Sequence, residues 1–177
     1  MADTKPPLPH DHLPEAPPLK VSSDDVSDGQ AVPDACLADQ MGMTGDNQSP
    51  HLRWEPGPEG TQSYAVTCYD PDAPTGSGFW HWVVFDIPAD VTELPRGAGS
   101  GSGLPQGAKQ VRNDAGAAAY MGPAPPPGHG EHRYVFTVHA VKVPELGVDE
   151  SASPAFVGFN LTFNTAARGT IIPVYER

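Results

Sequence analysis

The chain has 177 residues and a formal net charge of −12, from 10 Lys and Arg against 22 Asp and Glu. Its length fits one domain with a sizeable core, and its acidity argues against a nucleic-acid partner and against binding to anionic membranes. The 22 prolines and 19 glycines indicate a loop-rich β protein. Because no apolar run approaches a membrane span and no secretory segment follows Met1, the sequence predicts a cytoplasmic protein.

The N-terminal segment 1–20 differs in composition from the rest of the chain. It contains six prolines and almost no hydrophobic periodicity, which predicts a disordered, extended arm. Residues 21–177 are predicted to form a single domain. Cys36 and Cys68 match no metal-binding spacing, and buried or loop thiols are favoured over a disulfide between them.

Strands are predicted through most of the domain. Turn residues separate short apolar pieces over 21–33, and the later strand candidates are rich in β-branched and aromatic residues without helical spacing. These candidates cover 51–54, 63–70, 80–87, 132–143 and 170–175. The predicted fold class is therefore mainly all-β, with a β-sandwich architecture.

One helix is predicted late in the chain. Ser153 can cap its first turn, Pro154 suits the first helical position, and Gly169 is the predicted end. Phe156, Phe159 and Phe163 follow at helical spacing and predict an apolar stripe.

Three ionisable residues fall at the ends of predicted strands. Alternation assigns Asp70, His81 and His132 to the apolar, inward face of their strands. For His81 it gives Val83, Phe85 and Ile87 as neighbours on that face. Each has a simpler explanation alone, since a buried histidine is often a hydrogen-bonded core residue and an aspartate before proline is often a turn residue. Together, at converging strand ends, they favour a functional site.

The chemistry of this group predicts an anion receptor. A carboxylate near two imidazoles raises their pKa values, so both histidines are expected to be protonated near neutral pH. Each charge-assisted hydrogen bond to a phosphate or carboxylate would contribute about 1.5–3 kcal/mol. Asp70 would repel the anion directly, so it should orient a histidine from behind or neutralise a cationic part of the ligand. Phosphoethanolamine meets both conditions, with Phe79 and Tyr134 offering ring faces to its ammonium group.

The alternative function is an enzyme. Asp70, His81 and His132 could serve a hydrolase, and together with Asp72 they include the ligand types of a zinc or iron site. No nucleophile lies beside them in sequence, and the chain has neither a G-x-S-x-G nor an H-E-x-x-H motif. The rigid Asp70-Pro71-Asp72 geometry also argues against a metal. A non-catalytic binding protein without a cofactor is the favoured prediction.

Four segments resemble the phosphatidylethanolamine-binding protein (PEBP) family, and in particular its bacterial branch of Raf-kinase-inhibitor-like proteins of the YbhB/YbcL type. They are Asp70-Pro71-Asp72-Ala73-Pro74, Trp80-His81-Trp82, the glycine- and proline-rich stretch 122–128, and His132-Arg133-Tyr134. The resemblance covers residues 21–177. It implies two antiparallel β-sheets in a Greek-key arrangement with one or two short peripheral helices.

The resemblance also implies a pocket for phosphate, acetate-like anions or phospholipid head groups. Its ligand-binding residues would be Asp70, Pro74, Phe79, His81, Gly122, Ala124, Pro126, His132 and Tyr134. The supporting residues would be Asp72, Trp80 and Arg133. Family members often carry Trp at the position of Phe79, and some have a further C-terminal helix at the pocket mouth. Since this chain ends at Arg177, after its last predicted strand, a more open pocket is expected.

The resemblance leaves the cellular role open. Regulation of a protein kinase or a protease is implied, with the pocket rim and the glycine-rich loop 97–107 as the contact surface. A homodimer is implied by the bacterial branch. The sequence does not choose among these roles, because one fold supports many functions.

Overall fold

The structure is a computed structural model that describes residues 4–177. The strands are β1 (Val21–Ser22), β2 (Leu52–Trp54), β3 (Ser63–Asp70), β4 (Phe79–Pro88), β5 (Glu93–Leu94), β6 (Lys109–Gln110), β7 (His132–Arg133), β8 (Val135–Val141), β9 (Thr165–Ile171) and β10 (Val174–Tyr175). Within the described residues one α-helix, α1, spans Pro154–Asn164, and 3₁₀ turns cover Pro9–Asp11, Asp34–Cys36 and Ala98–Ser100.

A five-stranded antiparallel sheet forms the centre of the fold. Its strand order is β6-β4-β3-β8-β9, so the chain forms β3, β4 and β6 of this sheet in turn and then returns to place β8 beside β3. This is a Greek-key order. The opposing layer consists of two separate short sheets, β1-β2-β5 and β10-β7, where a single second sheet was predicted. The prediction of a mainly β sandwich is confirmed.

The large sheet is buried on both faces. Its inner face packs against the short sheets in one cluster, in which Val66 and Phe136 join Leu52 and Leu94. A second cluster lies on its outer face and includes Phe85 together with residues of α1. A sheet covered on both faces has no polar side that would show a simple alternation of apolar and polar residues.

Helix α1 buries a different face from the one that its phenylalanines suggest. Val157 and Leu161, spaced i, i+4, pack on Phe85 in the outer cluster. The predicted stripe is on the solvent side: Phe156, Phe159 and Phe163 are 51%, 58% and 66% exposed. The prediction of a helix is therefore correct, whereas the stripe does not mark its packed face.

The start of α1 follows the sequence and its end does not. The Ser153 hydroxyl accepts a hydrogen bond from the backbone N–H of Phe156 at 3.2 Å, as an N-cap should. The helix ends at Asn164, before the predicted Gly169, because Thr165 begins β9 and pairs with β8. Pairing along a neighbouring strand thus decides the boundary.

The segment 4–20, for which the sequence predicts a disordered arm, runs along the domain. Leu19 is buried, and its backbone N–H donates to the carbonyl of Arg168 at 2.9 Å. The backbone N–H of Arg168 in turn donates to Pro17 at 3.0 Å, and its guanidinium to the carbonyl of Pro14 at 2.9 Å. Proline lacks a backbone donor but keeps its carbonyl, and here those carbonyls connect the segment to β9.

The two cysteines are buried free thiols. Burial raises the pKa of Cys36 to about 12, and burial also raises the pKa of Cys68 well above its ordinary value.

Among residues 4–177, no helix is long and apolar enough to cross a membrane.

Candidate functional site

A chain of hydrogen bonds lies where β3 and β7 approach each other. The Asp70 carboxylate accepts from Nδ1 of His132 at 2.7 Å, and both side chains are almost fully buried. Nε2 of His132 is 2.7 Å from Nδ1 of the exposed His129. Nδ1 of His132 carries the hydrogen that is donated to Asp70. In a neutral ring the other nitrogen, Nε2, can then only accept, so Nδ1 of His129 is the donor of the bond between the two histidines.

Asp70 therefore holds His132 from behind. Its second carboxylate oxygen accepts from the backbone N–H of Asp72 at 2.8 Å, so both oxygens are engaged. Burial raises the pKa of Asp70, and the hydrogen bond from His132 offsets part of that effect. The arrangement fixes the orientation of the His132 ring and directs its other nitrogen outward.

His81 reaches the same pocket through a β-bulge. Cys68 pairs with Trp82 and Tyr69 with Trp80, which leaves His81 as an extra residue on β4. The bulge turns His81 toward Asp70 and His132, whereas Val83 and Phe85 pack in the outer cluster. His81 thus faces inward as Asp70 does, but the prediction that Val83 and Phe85 share its face is wrong, because alternation assumes an uninterrupted strand.

His81 is neutral near pH 7. Its Nδ1 donates to the carbonyl of Met121 at 2.7 Å, and Nε2 has no hydrogen-bond partner within residues 4–177. Burial, with a smaller contribution from His132, lowers the pKa of His81 to about 4 despite the Met121 carbonyl. The prediction of two protonated histidines is wrong for His81, because desolvation outweighs the more distant carboxylate.

Tyr134 supplies a buried hydroxyl without a partner. It lies between β7 and β8, where the chain leaves the small sheet for the large one, and its N–H donates to Pro173 at 2.9 Å. The side chain is only 1% exposed, and its Oη has no hydrogen-bond partner in the described part of the chain. The Tyr134 ring packs edge-on against His81, with ring centroids 5.2 Å apart. A buried hydroxyl left unpaired costs stability, so its retention suggests a bound group.

Asp72 and Arg133 form the support behind the site. The carboxylate of Asp72 accepts from Nε, Nη2 and the backbone N–H of Arg133, at 2.8, 2.8 and 2.9 Å. Burial would raise the pKa of Asp72, but the hydrogen bonds and charge of Arg133 outweigh it and lower the pKa. This bidentate pair connects the loop after β3 to β7 and keeps Asp70 beside His132.

These side chains line a pocket of about 180 Å³. Eight of the nine predicted ligand-binding residues contribute to its wall: Asp70, Pro74, Phe79, His81, Ala124, Pro126, His132 and Tyr134. Gly122 does not, because its role is packing: a Cβ there would come within 2.4 Å of the Cys36 carbonyl oxygen. Trp80 faces the other side of the sheet, where it contacts Tyr69.

Several wall residues were not predicted from the sequence. They are Met41, Ala73, Thr75, Met121 and Pro125. Three of them lie within or beside stretches already singled out, and Met121 directly precedes Gly122. Met41 comes from a distant loop and has a left-handed backbone, with φ of 57°, so no local pattern could place it at the pocket. His129 was also missed as a site residue, although its spacing from His132 is a usable signal.

The metal alternative has no support from the geometry. Asp72, one of the four proposed ligands, is engaged by Arg133 and is absent from the pocket wall. Across residues 4–177 the structure contains no group of three or more His, Cys, Asp or Glu side chains that could hold a metal ion.

Comparison with known proteins agrees with this fold. A family profile described as phosphatidylethanolamine-binding protein matches residues 22–176. YbhB of Escherichia coli K12 is 51% identical over 159 residues, which cover 89% of this chain and all of YbhB. The crystal structure of E. coli YbcL, described as a new member of the mammalian PEBP family, matches with a TM-score of 0.87 and 47% identity, over 90% of this chain and 98% of YbcL.

A more distant solved structure shares the fold. A putative PEBP homologue from Chlamydia trachomatis matches with a TM-score of 0.76 at 24% identity, over 92% of this chain and 99% of its own. The profile spans nearly the whole domain and the E. coli relatives align over almost their full lengths. The chain therefore belongs to the phosphatidylethanolamine-binding protein family.

Proposed function

We propose that this protein is a non-catalytic binding protein whose pocket takes up a small oxyanion together with a proton. The ligand class is phosphate, a phosphate monoester such as a phospholipid head group, or a carboxylate. The observation that carries the proposal is the unpartnered Tyr134 hydroxyl, buried beside His81 and His132. Three groups then meet at one wall, each with a nitrogen or oxygen that a ligand oxygen can approach.

The donors differ in how they become available. Tyr134 can donate at once, since its Oη has no partner in the described chain. Nε2 of His132 accepts from His129 in the free protein, so an anion can bind there only if the exposed His129 ring is displaced and Nε2 carries a proton. Nε2 of His81 lacks a proton near pH 7 and gains one only when an anion stabilises the imidazolium. Anion binding and proton uptake are therefore linked.

The size of the pocket restricts the ligand. About 180 Å³ is smaller than most drug-sized ligand pockets, which typically exceed about 300 Å³. A phosphate, an acetate or a head group fits this space, and the acyl chains of a lipid would remain outside. Since Asp70 has both oxygens engaged, it supports His132 and does not face the anion.

The test is a phosphate titration of the Tyr134→Phe variant by calorimetry. Loss of one hydrogen bond to a charged group should weaken phosphate binding by about tenfold or more. The same variant should be at least as stable to urea as the native protein, because it removes a buried hydroxyl that has no partner in the described chain.

Tyr64→Phe is the matched control. Its hydroxyl accepts from the backbone N–H of Gly57 at 2.8 Å, at the opposite end of β3, so it should lose stability and keep phosphate affinity. Equal phosphate affinity in Tyr134→Phe and the native protein would refute the proposal. A parallel titration with O-phosphoethanolamine shows whether the ammonium group adds affinity.

The finer role stays a prediction. The hydrolase alternative would require turnover of an activated phosphate or acyl ester that is lost in Asp70→Asn. Regulation of a protein kinase or protease, and homodimer formation, follow from the family resemblance alone.

A further inference from the structure

A second cavity lies on the outer face of the large sheet. The pocket around His81, His132 and Tyr134, in which we propose that an anion binds (the anion pocket), lies on the opposite face. Its volume is about 290 Å³. It is enclosed by three parts of the molecule, namely β3 and β8 of the sheet, helix α1, and the N-terminal segment. The sheet forms its floor, the helix and an aromatic side chain form its walls, and the N-terminal segment forms its roof.

The floor of the cavity is polar and buried. Thr67 and Thr137 are paired across β3 and β8, and they are 6% and 8% exposed. Neither hydroxyl has a hydrogen-bond partner among the described residues, and neither is a fully enclosed atom, so both open onto the cavity. Two adjacent hydroxyls at the base of a cavity can both bond to one molecule that occupies it.

His139 provides an acceptor at the same floor. It is 6% exposed, and its Nδ1 is 3.0 Å from Oγ1 of Thr165, which itself donates to the carbonyl of Leu161. Since the Thr165 proton is used in that bond, Nδ1 of His139 is the donor and Nε2 carries a lone pair. Burial, and then the charge of Arg168, lower the pKa of His139 to about 3, so the ring stays neutral.

The walls of the cavity are apolar and leave room. Trp80, Leu13 and Leu161 are among the apolar side chains that line it. Gly158 lies inside α1, where glycine costs about 1 kcal/mol relative to alanine. A Cβ at Gly158 would meet only Trp80, at 3.9 Å, so the missing side chain keeps this part of the cavity open.

The N-terminal segment closes the top. Pro9, His10 and Leu13 lie over the cavity, and the Nδ1 atom of His10 is buried without a partner in the described chain. The guanidinium of Arg168 also lines the cavity and donates to the carbonyl of Pro14, which holds the segment in place. The roof thus adds another unpaired polar atom.

We propose that this cavity binds a small, neutral, mainly apolar molecule with one hydroxyl group, of the phenol type. Its hydroxyl donates to Nε2 of His139 and accepts from Thr67 and Thr137, and its apolar body lies against Trp80 and Leu161. At His139 a carboxylate is disfavoured because its oxygens would meet the lone pair of a neutral imidazole. The Arg168 guanidinium, whose charge would favour an anion, is bonded to the carbonyl of Pro14 at the roof. This site is separate from the anion pocket and does not depend on it.

The test uses 4-fluorophenol as the probe on the full chain, followed by fluorine NMR and by amide shift mapping. Shifts should map to β3, β8 and α1. Replacing both threonines (Thr67→Val with Thr137→Val) keeps their shape and should weaken binding about tenfold, since two hydrogen bonds are lost. Gly158→Leu should fill the cavity and abolish binding, while circular dichroism confirms that the fold is kept.

One control variant tests where the probe binds, and two control probes test which chemical groups of the probe matter. Tyr134→Phe, which alters the anion pocket, should bind 4-fluorophenol as the native protein does. Fluorobenzene, which lacks the hydroxyl, and 4-fluorobenzoate, which is charged, should both bind at least tenfold more weakly. Shifts that map to the anion pocket, unchanged binding in the threonine double variant, or equal or tighter binding of either control probe would overturn the proposal.

Discussion

At the scale of single residues, Tyr134 and His81 are where stability would be lost in favour of the anion binding that we propose. The Tyr134 hydroxyl is buried without a partner in the described chain, and His81 is buried with one ring nitrogen unpaired among the same residues. The folded protein would be more stable if each of these polar atoms had a hydrogen-bond partner or were absent. The bound oxyanion that we propose would satisfy both, so the cost borne in the free protein becomes affinity in the complex.

The affinity for acetate should rise as the pH falls. His81 in the free protein has its pKa lowered to about 4 and is therefore unprotonated near neutral pH, whereas the bound anion favours its protonated form. Uptake of one proton makes the association constant increase about tenfold for each unit by which the pH is lowered. Acetate stays ionised between about pH 8 and about pH 5.5, so its own titration does not interfere.

Calorimetry at several pH values, in buffers of different ionisation enthalpy, measures this uptake directly. The His81→Gln variant, which cannot be protonated, should show a much weaker pH dependence. An acetate affinity of the native protein that does not change with pH would contradict linked proton uptake at His81.

At the scale of elements, the pairing of β4 and the packing of α1 decide which side chains reach the core. The bulge at His81 re-aims one residue without disturbing the pairs on either side. In α1 the buried positions are Val157 and Leu161, and the phenylalanines face outward. Both outcomes depend on contacts with other elements, which a local pattern does not contain.

A pair of substitutions in α1 tests this orientation. Leu161→Ala should lower the free energy of unfolding by about 2–5 kcal/mol, because Leu161 is only 2% exposed and lies in the outer cluster. Phe163→Ser should change it by less than about 0.5 kcal/mol, because that side chain is 66% exposed.

Urea unfolding, repeated at two protein concentrations, measures both variants and shows whether self-association contributes. If Phe163→Ser destabilised the isolated chain more than Leu161→Ala, α1 would have to pack through its phenylalanine face, contrary to the burial of Val157 and Leu161.

These cases show what the sequence could and could not predict. Alternation correctly placed Asp70, His132 and Tyr134 on one inner face, because it is uninterrupted along β3 and from β7 into β8, and the extra residue of the bulge lies on β4. His81 was identified, but Val83 and Phe85 were wrongly placed on its face, since one extra residue reverses the alternation. Met41 could not be found at all, because a long-range approach of a loop leaves no periodic trace.

At the scale of the whole molecule, the N-terminal segment and the net charge set the surroundings of both cavities. The chain carries a formal charge of −12, so an anion must be held by local groups against the overall field. Pro9, His10 and Leu13 close the second cavity, and residues 14–19 bond to β9. The proline-rich composition predicts a disordered arm, since composition carries no information on these carbonyl partners or on the cavity beneath the segment.

Amide hydrogen exchange should show protection at Leu19 and Arg168. Both N–H groups donate to carbonyls across the junction of the segment and β9, at 2.9 and 3.0 Å. The amide of Lys5 should exchange at once, since its side chain is exposed and only its ammonium group is bonded, to Glu131. Mass spectrometry of the full chain after short labelling times distinguishes the protected amides of Leu19 and Arg168 from the exposed amide of Lys5. Immediate exchange at Leu19 and Arg168 would show that the segment is detached in solution.

The two buried thiols give the protein a practical property. Because Cys36 and Cys68 are the only cysteines of the chain and both are buried with raised pKa values, neither presents a thiolate to an alkylating reagent in the folded state. The native sequence therefore serves as a background for site-specific labelling without prior removal of its cysteines. A single new cysteine in place of the exposed His129 would carry a fluorophore at the mouth of the anion pocket, where the arrival of a ligand at His132 could be followed in real time.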